Sequence, residues 1–135
     1  MARIALVTLV VDDYDEAIRF YTEALGFRLA EDAPRPDGSR WVVVEPPGTP
    51  GAPEQGTALL LARAKGEGQR ARIGDQTGGR VGFFLHTDDF VRDHARMTAA
   101  GVTFLEEPRH EPYGSVAVFQ DLYGNRWDLL QPAAT

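Results

Sequence analysis

The chain has 135 residues, 43% hydrophobic and 25% charged, which excludes a disordered or fibrous protein and favours one globular domain. Folding at that size removes roughly two thirds of the extended chain's surface from water. Its 14 basic and 20 acidic residues leave a net charge of −6 with no dense Lys/Arg cluster. This argues against sequence-independent binding to nucleic acid or an anionic membrane, and it suits a cationic ligand.

No cysteine is present, so disulfides, iron–sulfur clusters, thiolate zinc sites and a cysteine nucleophile are excluded. The apolar run from Ile4 to Val11 reads as a strand that stops at Asp12 and Asp13. It is far short of the ~20 residues a spanning helix needs, and nothing in it resembles a secretory signal. A cytoplasmic location is expected.

Next, Ala17, Phe20, Tyr21, Ala24 and Leu25 recur at helical spacing as one apolar stripe. Asp13 with Glu16 three residues on suits a capping box, and Gly26 is a natural stop. A second strand follows, then two more at Arg40 to Glu45 and Thr57 to Ala62, separated by the Pro/Gly-rich segment 46–56. Residues 63–79 are polar and glycine-rich and read as a linker.

The order then repeats. A strand ending at His86 leads into Asp88 and Asp89, so that Asp12, Asp13 and Tyr14 fall on Asp88, Asp89 and Phe90. A helix from Phe90 to about Ala100, with Phe90, His94 and Met97 on its stripe, stops at Gly101. After a further strand come Ser115 to Phe119 and Arg126 to Leu130, joined by the turn QDLYGN, which holds Asp, Gly and Asn. The pattern is βαβββ twice.

The segment DDYDEAIRFYTEALGF and the closing YGSVAVFQDLYGNRWDLLQP resemble the glyoxalase/bleomycin-resistance/extradiol-dioxygenase group, the vicinal oxygen chelate superfamily, over residues 4–132. The resemblance implies an α+β fold of two βαβββ modules, about 4–62 and 80–132, forming a single domain. In it a curved, mostly antiparallel eight-stranded sheet surrounds a cavity, with the helices outside and a homodimer as the usual assembly. Family members have Pro where this chain has Leu122.

Many members of the family hold one divalent metal, with ligands from the first and fourth strands of each module. The matching positions here are Leu6, Leu60, Gly82 and Asp128. Three of the four have no side-chain lone pair, whereas a catalytic divalent site takes three or more protein ligands. No metal or other cofactor is therefore expected, the alternative being one divalent metal in a rearranged site.

Asp128 carries most of the remaining functional interest. It suits orienting a ligand hydroxyl or amine, or serving as general base if burial raises its pKa; a structural ion pair with Arg126 or Arg40 is the bland alternative. His86 lies four residues after Gly82, on the same strand face, where it forms an acid/base or metal pair with Asp128 or sits on the rim. His94 reads as packed and His110 as a surface residue.

Strand alternation places Leu6, Thr8, Leu60, Phe84, Arg126 and Asp128 along the pocket, with Arg40, Trp41 and Tyr113 at its mouth and Trp127 facing the helix side. There is no GxSxG, no GxxxxGK[ST] and no GxGxxG between a strand and a helix. The expected function is a metal-independent small-molecule-binding protein of the resistance or sequestration type. The alternative is a lyase, isomerase or dioxygenase working around Asp128 and His86.

Overall fold

The computed structural model describes residues 1–48 and 56–134. They form two compact units, Met1–Ile73 and Gly74–Thr135, divided inside the predicted linker.

The first unit runs β1 (Leu6–Val11), α1 (Tyr14–Arg19), β2 (Arg28–Pro34), β3 (Arg40–Glu45), β4 (Ala58–Arg63) and α2 (Gly66–Arg70). Its sheet has the order β1-β4-β3-β2, with β1 parallel to β4 and the other pairs antiparallel. In the second unit the elements are β5 (Val81–His86), α3 (Phe90–Ala99), β6 (Thr103–Phe104), β7 (Arg109–Glu111), β8 (Gly114–Gln120) and β9 (Arg126–Pro132). That sheet is ordered β5-β9-β8-β6, β7 pairs with β8, and β5 is parallel to β9.

In both units the first strand lies beside the last, and a helix carries the chain from the first strand to the second at the far end of the strand order, as the repeat requires, and the α+β class stands. Details differ. The short β7 makes the second sheet five-stranded where four were expected, and the predicted linker contains α2. Residues 49–55 of the predicted Pro/Gly-rich connection lie outside the described residues.

The first helix does not keep its 3.6-residue period. After Arg19 it widens into a π-helical stretch, Phe20–Ala24, in which Leu25 N–H reaches back to the Phe20 carbonyl at 3.2 Å. Thr22 supplies a local cause: its hydroxyl donates to the Ile18 carbonyl at 2.7 Å and competes for an acceptor of the helical ladder. Most of the stripe is still buried, with Ala17, Tyr21, Ala24 and Leu25 at 7% exposure or less, while Phe20, where the wide turn begins, is half-buried.

In the first unit the core is Leu9, Val11, Val42, Val44 and Leu61, all fully buried at alternate strand positions. Burying each stabilises the fold by roughly 1.5–3 kcal/mol before entropy is counted. An aromatic column fills the second core. His94 lies between Phe90 (5.5 Å) and Phe104 (4.1 Å), Phe104 meets Phe119, and Phe119 and Phe83 stack on Trp127. His94 is thus packed, and Trp127 belongs to the helix-side core. Among the described residues no helix is long and apolar enough to cross a membrane.

Candidate functional site

A wedge in the first sheet opens a cleft. β3 and β4 pair only through Val42↔Leu61, Val43↔Leu60 and Val44↔Leu59. Beyond that point Arg40 and Trp41 follow β2, opposite Pro34 and Ala33, whereas Ala62 and Arg63 follow β1, opposite Val10 and Val11. The parting strands open a space of about 300 Å³ lined by Trp41, Leu60 and Ala62 together with Tyr14, Ser39 and several charged side chains.

Tyr14, the first residue of α1, is 6% exposed, and its hydroxyl accepts the Arg40 N–H at 3.2 Å. It thereby satisfies a backbone donor at the strand end. Guanidinium groups cover the aromatic faces: Arg40 and Arg63 lie 5.1 and 5.5 Å from the Tyr14 ring, and Arg35 lies 4.5 Å from that of Trp41.

Local chemistry shapes the rim. In the turn between β2 and β3, Asp37 Oδ1 accepts the Ser39 hydroxyl at 2.6 Å and the Ser39 N–H at 2.9 Å. These bonds, with help from Lys65, hold the Asp37 carboxyl below its ordinary range. Arg40 grips Asp32 through two bonds of 3.1 and 2.8 Å and reaches Asp15 at 3.0 Å, which raises its already high pKa further.

In the second unit the chemistry centres on Asp128. The register sets it between Val118 on β8 and Phe84 on β5. Its Oδ1 is buried with no hydrogen-bond partner among the described residues. Burial pushes its carboxyl pKa up, Arg109 opposes this and Glu106 adds to it.

Those neighbours are themselves tied together. Arg109 bonds both oxygens of Glu106, at 2.9 and 3.2 Å, and also Glu111 at 3.2 Å and the Tyr113 hydroxyl at 3.4 Å. Arg109 chiefly, with the Val118 N–H at 2.9 Å, keeps the Glu106 carboxyl below its ordinary range. The result is a carboxyl that holds its proton more tightly than an ordinary aspartate beside an ion pair, an arrangement able to donate to or accept from a polar ligand group.

Other predicted residues are more scattered. Among the described residues no hydrogen bond joins His86 to Asp128; His86 is exposed at the end of β5, opposite Leu130. Among the described residues no ion pair joins Arg126 to Asp128, since Arg126 donates to the Gly79 carbonyl at 3.2 Å; Arg40 pairs with Asp32 and Asp15 within the first unit. Phe84 is 62% exposed beside Asp128, Tyr113 is 55% exposed near Arg109, and Leu6 is 37% exposed on β1. Thr8 is the register partner of Leu60. His110 lies exposed on β7, its Nδ1 3.0 Å from Ser115 Oγ.

Sequence reasoning missed Tyr14, Arg35, Asp37 and Arg63. Arg63 had been assigned to the linker, although β4 extends to it. The available signal was Arg35-Pro-Asp-Gly-Ser39, a turn that opens on a cation and leads into Arg40 and Trp41.

A model of the Glyoxalase/Bleomycin resistance protein/Dioxygenase superfamily matches residues 3–129. The chain belongs to this superfamily. An uncharacterized protein of Shewanella frigidimarina (strain NCIMB 400) is 54% identical over 126 residues, covering 93% of this chain and 90% of that protein. The crystal structure of UcmS2 is 33% identical with a TM-score of 0.80, covering 96% and 98% of the two chains. TnmS3, an antibiotic binding protein from Streptomyces sp. CB03234, is 32% identical with a TM-score of 0.75 over 98% of both.

The superfamily's metal positions hold few donor atoms in this chain. Leu6 and Leu60 have no donor atom, and a Cβ on Gly82 would lie 2.5 Å from Thr77 Cγ2, so that position is filled by a neighbour. Asp128 alone has a donor. Among the described residues no group of three His, Cys, Asp or Glu side chains comes together as metal ligands. This donor set does not fit the divalent ion of the superfamily.

Proposed function

We propose that this superfamily member is a metal-independent small-molecule-binding protein that sequesters its ligand and works as a cytoplasmic homodimer. The observation that carries the reading is the cleft between β3 and β4, where Trp41 and Leu60 offer apolar surface and Ser39 and the arginines offer polar groups. Mixed apolar walls with a few placed polar groups characterise small-molecule sites. The likeness to TnmS3, an antibiotic binding protein, supports the same reading.

Metal content tests the first half. Protein purified without a metal-affinity tag, soaked separately in Mn, Fe(II), Ni and Zn and then desalted, is expected to retain no stoichiometric metal. One equivalent, lost in Asp128→Ala, overturns metal independence. Thermal shifts across a panel of aromatic antibiotics test binding, and a flat response to all of them counts against it. Sedimentation velocity reads the oligomeric state.

A second reading rests on Asp128, whose buried, unpartnered Oδ1 and raised pKa suit a general base in a metal-free isomerase or lyase. It requires that Asp128→Asn abolish turnover while the fold is kept.

A further inference from the structure

We infer that the cleft between β3 and β4 takes a planar aromatic ligand that carries an anionic group. The inference rests on the ligand-binding reading above and narrows it to a chemical class. The chain as a whole has a charge of −6, which points towards a cation; the charge at the cleft points the other way.

Most charges at the rim are already neutralised. Arg40 is held by Asp32 and Asp15, and Lys65 lies 3.8 Å from Asp37. Two cations are left over. Arg35 and Arg63 both line the cleft, and neither has a carboxylate partner among the described residues. Among the described residues their side-chain partners are the aromatic faces of Trp41 and Tyr14.

A guanidinium over a ring leaves its edge N–H donors free for an oxyanion, and its planar fork matches carboxylate, sulfonate or phosphate oxygens. The half-buried Trp41 and Leu60 beside them favour a flat, apolar ligand body. Splaying of the strands places both features together, because Arg63 leaves on the β1 side and Arg35 closes the β2–β3 turn. A cleft of about 300 Å³ admits a small fused-ring aromatic acid.

Three probes differing only in charge test this: 2-naphthoate, 2-naphthamide and (2-naphthylmethyl)ammonium. Each is titrated into the full chain at low ionic strength, where exposed charges act most strongly. Calorimetry gives affinity. The two tryptophan indole N–H signals give location, assigned with Trp41→Phe, with Trp127 as internal control.

The expected result is that naphthoate binds at least ~10-fold tighter than the amide, moves the Trp41 signal, and loses that advantage in Arg35→Gln/Arg63→Gln, while the ammonium binds weakest. Equal binding of all three probes at Trp41 overturns the anionic class and leaves the ligand cleft standing. So does tighter binding of the ammonium, or an advantage that survives the double substitution. If no probe moves Trp41, the anionic class and this cleft as the ligand site fall together.

Discussion

Asp13 and Asp89 cap the two helices of the repeat by the same bond. Asp13 Oδ2 accepts the Glu16 N–H at 2.8 Å, and Asp89 Oδ1 accepts the Arg92 N–H at 3.0 Å. Each satisfies an orphan donor and sets a negative charge at the positive end of its helix. Asp13→Ala and Asp89→Ala are each expected to cost ~1 kcal/mol. The two caps lie in different compact units, so the double variant should lose the sum of the two single losses, within the ~0.5 kcal/mol usual for independent sites. Urea unfolding of the three variants reads this; a double variant no worse than either single one contradicts independent caps.

Features set by neighbouring residues were legible in the sequence. Asp13 and Gly26, repeated as Asp89 and Gly101, marked both helices, and both glycines adopt positive φ, 74° and 92°. Strand alternation correctly turned Trp127 towards the helix-side core. The cleft was not legible, because it depends on where pairing of β3 with β4 stops, beyond Val42 and Leu61, and no local pattern encodes that point. Asp128 was singled out by resemblance, yet the groups that bias its titration, Arg109 and Glu106, come from a stretch with no periodicity to flag them.

Asp121 anchors the turn before β9 and is 3% exposed. Its Oδ1 accepts N–H groups of Tyr123, Gly124 and Asn125 at 2.9–3.0 Å, and its Oδ2 accepts the Asn125 side-chain amide at 2.9 Å. Removing the carboxylate takes the acceptor from two buried donors of Asn125 and two part-buried backbone donors at once, so Asp121→Ala is expected to lose ~3 kcal/mol. Leu122→Ala, at a side chain 45% exposed in the same turn, should stay within ~0.5 kcal/mol. Similar losses for the two would show that the turn does not depend on its acid.

Gly74 and Gly78 separate a steric cost from a conformational one. Both have positive φ, 76° and 70°. A Cβ on Gly74 would come within 1.9 Å of the Tyr123 carbonyl oxygen, whereas one on Gly78 would meet nothing within 4 Å. Gly78→Ala should therefore cost only the ~1 kcal/mol of a left-handed backbone. Gly74→Ala must also push backbone apart, and ~3 kcal/mol or more is expected. Thermal melts of the pair check the ordering, which fails if the two variants melt together.

Asp128 and Glu106 should respond to pH in opposite directions. Burial raises the folded-state pKa of Asp128 above the ordinary aspartate value of 3.8, so the folded chain holds the proton more tightly than the unfolded chain. Its effect on stability is most favourable below that value and is lost as pH rises through the folded pKa. Asp128→Asn should thus stabilise the protein at pH 7, with the gain vanishing at acid pH. Glu106, lowered from 4.5 by Arg109 first of all, contributes stability above its unfolded value that disappears as pH falls through its folded pKa. Glu106→Gln should accordingly destabilise at pH 7 and not at strongly acid pH. Because Glu106 raises and Arg109 lowers the Asp128 pKa, Glu106→Gln should also shift the Asp128 titration down and Arg109→Gln should shift it up. Carboxyl carbon NMR against pH reads both directions; an Asp128 signal unmoved by either substitution would break the electrostatic link between the three residues.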